Sequence, residues 1–250
     1  MDLQLEGKRA LVTGGSRGIG KEIARVLAEE GARVAIAARD PERLAQAKAD
    51  LKSATGAEVA TFTYEGGDDD SVRAMVAAVA DALGGLDILV NNAAQPGGTA
   101  PPNLAAVTTA DFATDMNVKV MGYLRCAQAA APIMAAGGWG RIVNIGGTTA
   151  YTTRSMLSSM RVIAVGSLTK NLADQLGSDG ITVNLVHPGT TRTERTTEEA
   201  ATSYHGNVIG RIIDASEVAD IVAYLCSPRA GAITGEAISA GGGIPGAIRY

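Results

Sequence analysis

The chain has 250 residues, 46% of them hydrophobic, with 31 glycines and a formal net charge of -4. That length suits one large α/β domain with a substantial core, and the acidic balance offers no basic surface for nucleic acid. Two cysteines, Cys126 and Cys226, make no disulfide framework and fit a reducing compartment. Residues 1–6 do not read as a signal peptide and no apolar run is long enough to span a bilayer, so the expectation is a cytoplasmic protein with no membrane partner.

Apolar strand-like runs alternate with helical patterns along the whole chain. A first strand at 10–12 runs into Thr13-Gly14-Gly15-Ser16-Arg17-Gly18-Ile19-Gly20, and a helix follows over 19–30, with Ile23, Val26 and Leu27 on one face. Glycines on a strand-to-helix turn permit a tight bend and let backbone approach a ligand, while N–H groups at the helix start favour an anion such as a pyrophosphate. Strands at 34–38, 59–62, 88–90, 142–145, 183–186 and 237–239 alternate with helices at 41–52, 71–83, 109–134, 158–176 and 215–225. This alternation predicts a doubly wound, mostly parallel sheet of about seven strands with helices on both faces, in a single domain over 1–250. Only 194–207 is polar and unpatterned, and it reads as a lid over a site.

Arg39 follows the second strand directly, and Ala38 stands where a dinucleotide site often carries an acid for the ribose hydroxyls. A guanidinium there suits a 2′-phosphate, and Arg17 in the glycine turn adds a second cation, so the cofactor expected is NADP(H) in preference to NAD(H).

At this point the sequence resembles the short-chain dehydrogenase/reductase family over nearly its whole length. Besides the glycine turn, Asn91-Asn92-Ala93-Ala94 is similar to the family's Asn-Asn-Ala-Gly motif. Asn117 falls where the family keeps an active-site Asn, and Pro188-Gly189-Thr190-Thr191-Arg192-Thr193 resembles its nicotinamide-holding Pro-Gly segment. Ile233-Thr234-Gly235 and Gly241-Gly242 resemble its C-terminal signature. The resemblance implies cofactor contacts at Gly14, Ser16, Arg17, Gly18, Ile19, Gly20, Arg39, Glu65, Gly66, Asn91, Ala93, Pro188, Gly189, Thr191 and Thr193. It also implies a homo-oligomer, dimer or tetramer, paired through the helices at 118–134 and 158–176. Glu65 and Gly66 stand where the family has an Asp and an apolar residue beside the adenine.

The family's catalytic Ser, Tyr and Lys are not matched. Gly147 takes the Ser position. Counting back from Gly166-Ser167-Leu168-Thr169-Lys170 puts Ser158 and Val162 at the Tyr and Lys positions, while counting forward from Gly147 puts Met160 and Ala164 there. Tyr151 lies earlier, with Arg154 after it at the wrong spacing, and Lys170 lies two turns late. Positioned acid catalysis is worth roughly 10²–10⁴-fold, so its loss bears on the reaction. The candidate catalytic residues are Asn117, Tyr151, Ser158 and Thr148, with Thr149 beside the last. Tyr151 reads as a loop proton donor or a substrate-lining aromatic, and Arg161 as an interface or surface residue, or as a cation near the site if its helix is rotated. His187 reads as structural, Tyr204 and His205 as lid residues touching substrate, and Cys126 as core. No metal site is expected. The expected function is an NADP(H)-dependent oxidoreductase with a non-standard centre, acting on a conjugated or self-activated small molecule. The alternatives are an inactive cofactor-binding subunit and a non-redox isomerase or cyclase.

Overall fold

In the computed structural model, residues 1–94, 104–153, 155–202, 204 and 206–247 are described. The element order is β1 (Arg9–Thr13), α1 (Gly18–Glu29), β2 (Arg33–Ala38), α2 (Pro41–Thr55), β3 (Ala60–Thr63), α3 (Asp69–Leu83) and β4 (Ile88–Asn91). Next come α4 (Thr109–Met116), a π-helical turn (Asn117–Met121), α5 (Gly122–Ala136), β5 (Gly140–Ile145), α6 (Met156–Leu176) and β6 (Ile181–Pro188). The chain then runs through β7 (Thr191–Arg192), α7 (Glu198–Thr202), β8 (Ile213–Asp214), α8 (Ala215–Cys226) and β9 (Ala237–Ala240). The main sheet is all parallel, seven strands in the order β3-β2-β1-β4-β5-β6-β9. This is the doubly wound α/β fold expected from the alternation.

Strand alternation divides the core into two layers. Along β1 and β2, Ala10, Val12, Val34 and Ile36 face a layer with α1, α2 and α8, where Ile23, Leu27, Leu44 and Val222 meet. Leu11, Ala35 and Ala37 face the opposite layer, where α3, α5 and α6 bring Val72, Met75, Ala127 and Ala173. Both faces of the sheet are therefore dry, and its strands read as continuous apolar runs rather than alternating ones. Order reverses between β1 and β4, and the crevice beyond their carboxyl ends is where an open parallel sheet binds ligands.

Two segments differ from the sequence reading. The helix expected over 109–134 is interrupted by the π-helical turn, where the Gly122 N–H reaches back to the Asn117 carbonyl. Arg125 stabilises the widened turn by donating to the Asn117 carbonyl at 3.0 Å and its Oδ1 at 2.9 Å. Such turns are rare and concentrate at functional sites. The unpatterned 194–207 segment contains the short helix α7. Among the described residues, no helix is long and apolar enough to cross a membrane.

Candidate active site

The first cleft opens at the switch point between β1 and β4. The Thr13 hydroxyl, 1% exposed, donates to the Val90 carbonyl at 3.2 Å and accepts from the Asn92 and Ala93 N–H groups at 3.0 and 3.2 Å. The Asn92 amide donates in return to the carbonyls of Thr13 and Gly14. These bonds press the turn after β1 against the end of β4 so closely that only glycine fits. A Cβ on Gly20 would stand 2.4 Å from the Gly14 carbonyl oxygen, and Gly14 itself has φ +66°. Gly14, Ser16, Arg17, Gly18, Ile19 and Gly20 line one wall. Arg39, Glu65, Gly66, Ala93 and Thr193 line the rest, in a cavity of about 280 Å³.

The residues fit a dinucleotide with an extra phosphate. Gly18 N–H, at the start of α1, donates to the Glu194 carboxylate at 3.1 Å, so an anion from the chain itself already sits where the helix terminus favours one. Asp40, an acid lining the cleft beside Arg39, is otherwise engaged. Its carboxylate caps α2 through the N–H groups of Glu42 and Arg43, both at 3.1 Å, and pairs with the Arg43 guanidinium at 3.0 Å. Among the described residues Arg17, Arg39 and Arg195 line the cleft and enter no ion pair, with Arg17 in the glycine turn and Arg39 directly after β2.

A second cavity, of about 530 Å³, lies beyond the ends of β5 and β6. Its walls include Gly146, Gly147, Thr148 and Thr149 after β5, Ser158, Arg161 and Val162 from α6, and Pro188 and Gly189 after β6. Tyr204 and Asn207 close one side, so the 194–207 segment borders both cavities, with Arg195 at the first. The Ser158 hydroxyl lies 3.1 Å from Thr149 Oγ1 and accepts from Arg161 Nη2 at 3.2 Å. Arg161 is 8% exposed and its Nη1 pairs with Asp115 of α4. Behind the cavity, Lys119 from the π-helical turn donates to the Gly146 carbonyl at 3.0 Å. Its ammonium pKa is pushed down to about 7, first by burial and then by the Arg161 charge, with Asp115 opposing. The Gly147 N–H donates to His187 Nδ1 at 3.1 Å, and the Tyr151 ring stands edge-on to His187, centroids 5.1 Å apart.

The family profile described as enoyl-(acyl carrier protein) reductase, of the short-chain dehydrogenase type, matches residues 14–245. The 3-oxoacyl-[acyl-carrier-protein] reductase of Vibrio cholerae is 37% identical over 249 residues, covering 97% of this chain and 99% of its own. The chain belongs to the short-chain dehydrogenase/reductase family. A short-chain dehydrogenase from Burkholderia cenocepacia, solved in complex with NADP, superposes with a TM-score of 0.86 at 38% identity, covering 96% of this chain and 98% of its own. The L-sorbose reductase of Gluconobacter frateurii, complexed with NADPH and L-sorbose, superposes with a TM-score of 0.90 at 28% identity, over 99% and 100% of the two chains.

Within this short-chain dehydrogenase/reductase frame, the residues singled out in the sequence fall into three groups. The glycine turn, Arg39, Glu65, Gly66, Ala93 and Thr193 line the first cleft, and Thr148, Ser158, Pro188 and Gly189 line the second. Asn91, Thr191, Asn117 and Tyr151 line neither. Asn91 is fully buried and its amide bridges to Asn144 Oδ1 at 3.0 Å, because the last residue of β4 turns inward and its neighbour Asn92 turns toward the cleft. The Thr191 hydroxyl donates to the Gly189 carbonyl at 3.0 Å, and the Asn117 amide to the Gly67 carbonyl at 3.3 Å. Of the two ways of counting along α6, Ser158 and Val162 face the second cavity. Met160 is 47% exposed on the outside, so the forward count to Met160 and Ala164 does not hold. The surface reading of Arg161 is likewise corrected, since it is 8% exposed and its guanidinium pairs with Asp115 of α4. His205 and Arg154 lie outside the described residues. Sequence reasoning missed Lys119, Asp115, Asn92, Arg43 and Glu194.

Glu194→Gln should strengthen NADPH binding, because the carboxylate competes with phosphate for the Gly18 N–H. Titration calorimetry reads the effect, and an unchanged or weaker affinity contradicts it.

Proposed function

We propose that the protein is an NADP(H)-dependent oxidoreductase with a non-standard centre that reduces a conjugated or otherwise self-activated acceptor, such as an enone, a quinone-like ring or an activated carbonyl. The cofactor reading draws on Arg17 and Arg39 facing a glycine-walled cleft and on related chains solved with NADP or NADPH. In that reading the α1 terminus holds the pyrophosphate, Arg39 the 2′-phosphate, and the turn around Pro188 and Gly189 the nicotinamide end. The bound cofactor supplies hydride, and holding donor beside acceptor is itself a large rate factor.

One observation carries the substrate reading. Gly147, Ser158 and Val162 line the second cavity, and on the count back from Lys170 they take the family's Ser, Tyr and Lys positions, so in this reading the wall beside the acceptor offers hydroxyls in place of a phenol paired with an ammonium. An isolated ketone becomes an alkoxide where hydride arrives and needs a strong acid there. A conjugated acceptor moves its negative charge to an oxygen several atoms away, within reach of Ser158, Thr149 and backbone N–H groups. The 194–207 segment acts as the lid, and the protein works in the cytoplasm as a homo-oligomer.

Three measurements test this reading. NADPH should raise the thermal midpoint more than NADH does, by selective binding to the folded state. Arg39→Asp should reverse the order, and equal shifts in the wild type would overturn the preference. In an NADPH-absorbance assay, enones and quinones should turn over while plain ketones and 3-oxoacyl thioesters, the substrate class named for the Vibrio cholerae relative, turn over weakly. Fast ketone turnover would mean a proton donor has been missed, and no NADPH oxidation with any acceptor would favour a non-redox role. For assembly, α6 presents Met160 and Ile163, 47% and 58% exposed, and the π-helical turn presents Met121 at 41%. Light scattering should report a dimer or tetramer at micromolar concentration and a smaller species for Ile163→Lys, and a wild-type monomer would contradict the assignment.

A further inference from the structure

Lys119 is 5% exposed, and its Nζ has the Gly146 carbonyl as acceptor and the Tyr123 ring 5.8 Å from the charge. Tyr123 comes from α5 and gives its hydroxyl proton to the Ile145 carbonyl at 3.0 Å. The charged groups of the cluster are Asp115 from α4 and Arg161 from α6, already joined to each other. Two cations and one carboxylate leave one positive charge uncancelled. Among the described residues, His187 of β6 and Tyr204 are further titratable groups at this end, His187 holding the Gly147 N–H with the Tyr151 phenol packed on its ring. The Arg161 Nε is buried without a hydrogen-bond partner. An uncancelled buried ammonium is costly, and an apolar side chain of the same length would hold the same volume without that cost. The backbone that delivers Lys119 is also special, since the π-helical turn from Asn117 to Met121 breaks an otherwise regular helix here.

We propose that Lys119 supplies the positive charge of the catalytic centre from behind Gly146 and Gly147, stabilising the negative charge that develops on an acceptor oxygen seated at Ser158. This rests on the reductase reading. The acceptor carbon gains hydride and its two electrons from the reduced nicotinamide, and the acceptor's π pair moves to the oxygen. The oxygen takes the Ser158 hydroxyl proton, and Ser158 regains one from water in the cavity. One hydride and one solvent proton are consumed per acceptor, and the cofactor leaves oxidised. The cation comes from the π-helical turn, which packs against α6, and acts with Arg161, which holds Ser158 in place.

Burial and the Arg161 charge push the Lys119 ammonium down to about 7, from an ordinary value of 10.5. The sign follows directly. Below the folded value the charge is present and burdens the fold. Between the two values the unfolded chain binds more protons, so stability rises with pH. Activity that depends on the charge falls earlier, as pH rises through about 7.

The test compares wild type with Lys119→Met and Lys119→Arg. The first arm needs no turnover: 4-nitrophenol is titrated with each protein and its ionised absorbance followed. The wild type should favour the bound phenolate, Lys119→Met should lose that preference, and Lys119→Arg should keep it. The second arm measures acceptor reduction. Lys119→Met should lose roughly 100-fold in kcat, with KM and the NADPH thermal shift held and the pH dependence near neutrality flattened. In the third arm, Lys119→Met should melt no lower than wild type at pH 7, with any advantage shrinking toward pH 10. Equal phenolate preference in wild type and Lys119→Met, or an unchanged kcat and pH profile, would overturn the proposal. So would a Lys119→Met that melts lower at pH 7, as loss of a structural bond to Gly146 predicts. A wild type that prefers the phenolate but reduces no acceptor would sink the reductase reading and leave the Lys119 charge established.

Discussion

The hydroxyl of Thr13 is the point on which the cofactor cleft depends. It is buried where β1 and β4 end side by side, and it satisfies a carbonyl of one strand and two N–H groups beyond the other. A buried polar group is tolerable only when it is bonded, and this one is bonded on every side that matters. The consequence is distance: the glycine turn is drawn onto Asn92 and Ala93 until a Cβ at Gly14 would lie 2.9 Å from the Ala93 backbone. The N–H groups at the start of α1 inherit their position from that contact.

A second polar chain does the same for the substrate cavity. Asn91 donates to Asn144 Oδ1, and Asn144 donates to Thr169 Oγ1 at 2.9 Å, linking β4 and β5 to the buried face of α6. Thr169 in turn bonds back to the Val165 carbonyl. The rotation of α6 about its axis is thereby fixed, and with it which residues two turns earlier look into the cavity. Ser155 caps the helix start, and Ser158, Arg161 and Val162 follow on the inward face. The two amide-bearing strands thus register one wall of the second cavity against the other.

The architecture was legible because its strands are continuous apolar runs and its turns carry glycine where backbone must come close. The first cleft was legible for the same reason, since Gly14 to Gly20 declares strand, turn and helix within a few residues. What stayed hidden depended on geometry that periodicity does not encode. Lys119 lies in a turn that inserts extra backbone into a helical pattern, so a regular 3.6-residue count places its side chain on the wrong face. Arg161 reads as surface because its partner Asp115 is distant in sequence and on another helix. Asn91 and Asn92 exchange roles by one step of strand alternation. Glu194 came from a segment with no pattern to read.

The paired glycines after β5 differ in what they permit. At Gly146 an added Cβ would collide with His187 Nδ1 at 2.5 Å, whereas at Gly147 it would meet only Thr149 and Val162, at 3.7 and 3.9 Å. The first position is closed to change and the second is open. A serine at 147 would enter without moving its neighbours, so a hydroxyl can be added to that wall by one substitution the scaffold has room to accept. Any wider remodelling of that wall meets its resistance in α6 and the clasp that Arg161 makes with Asp115, not in the loop.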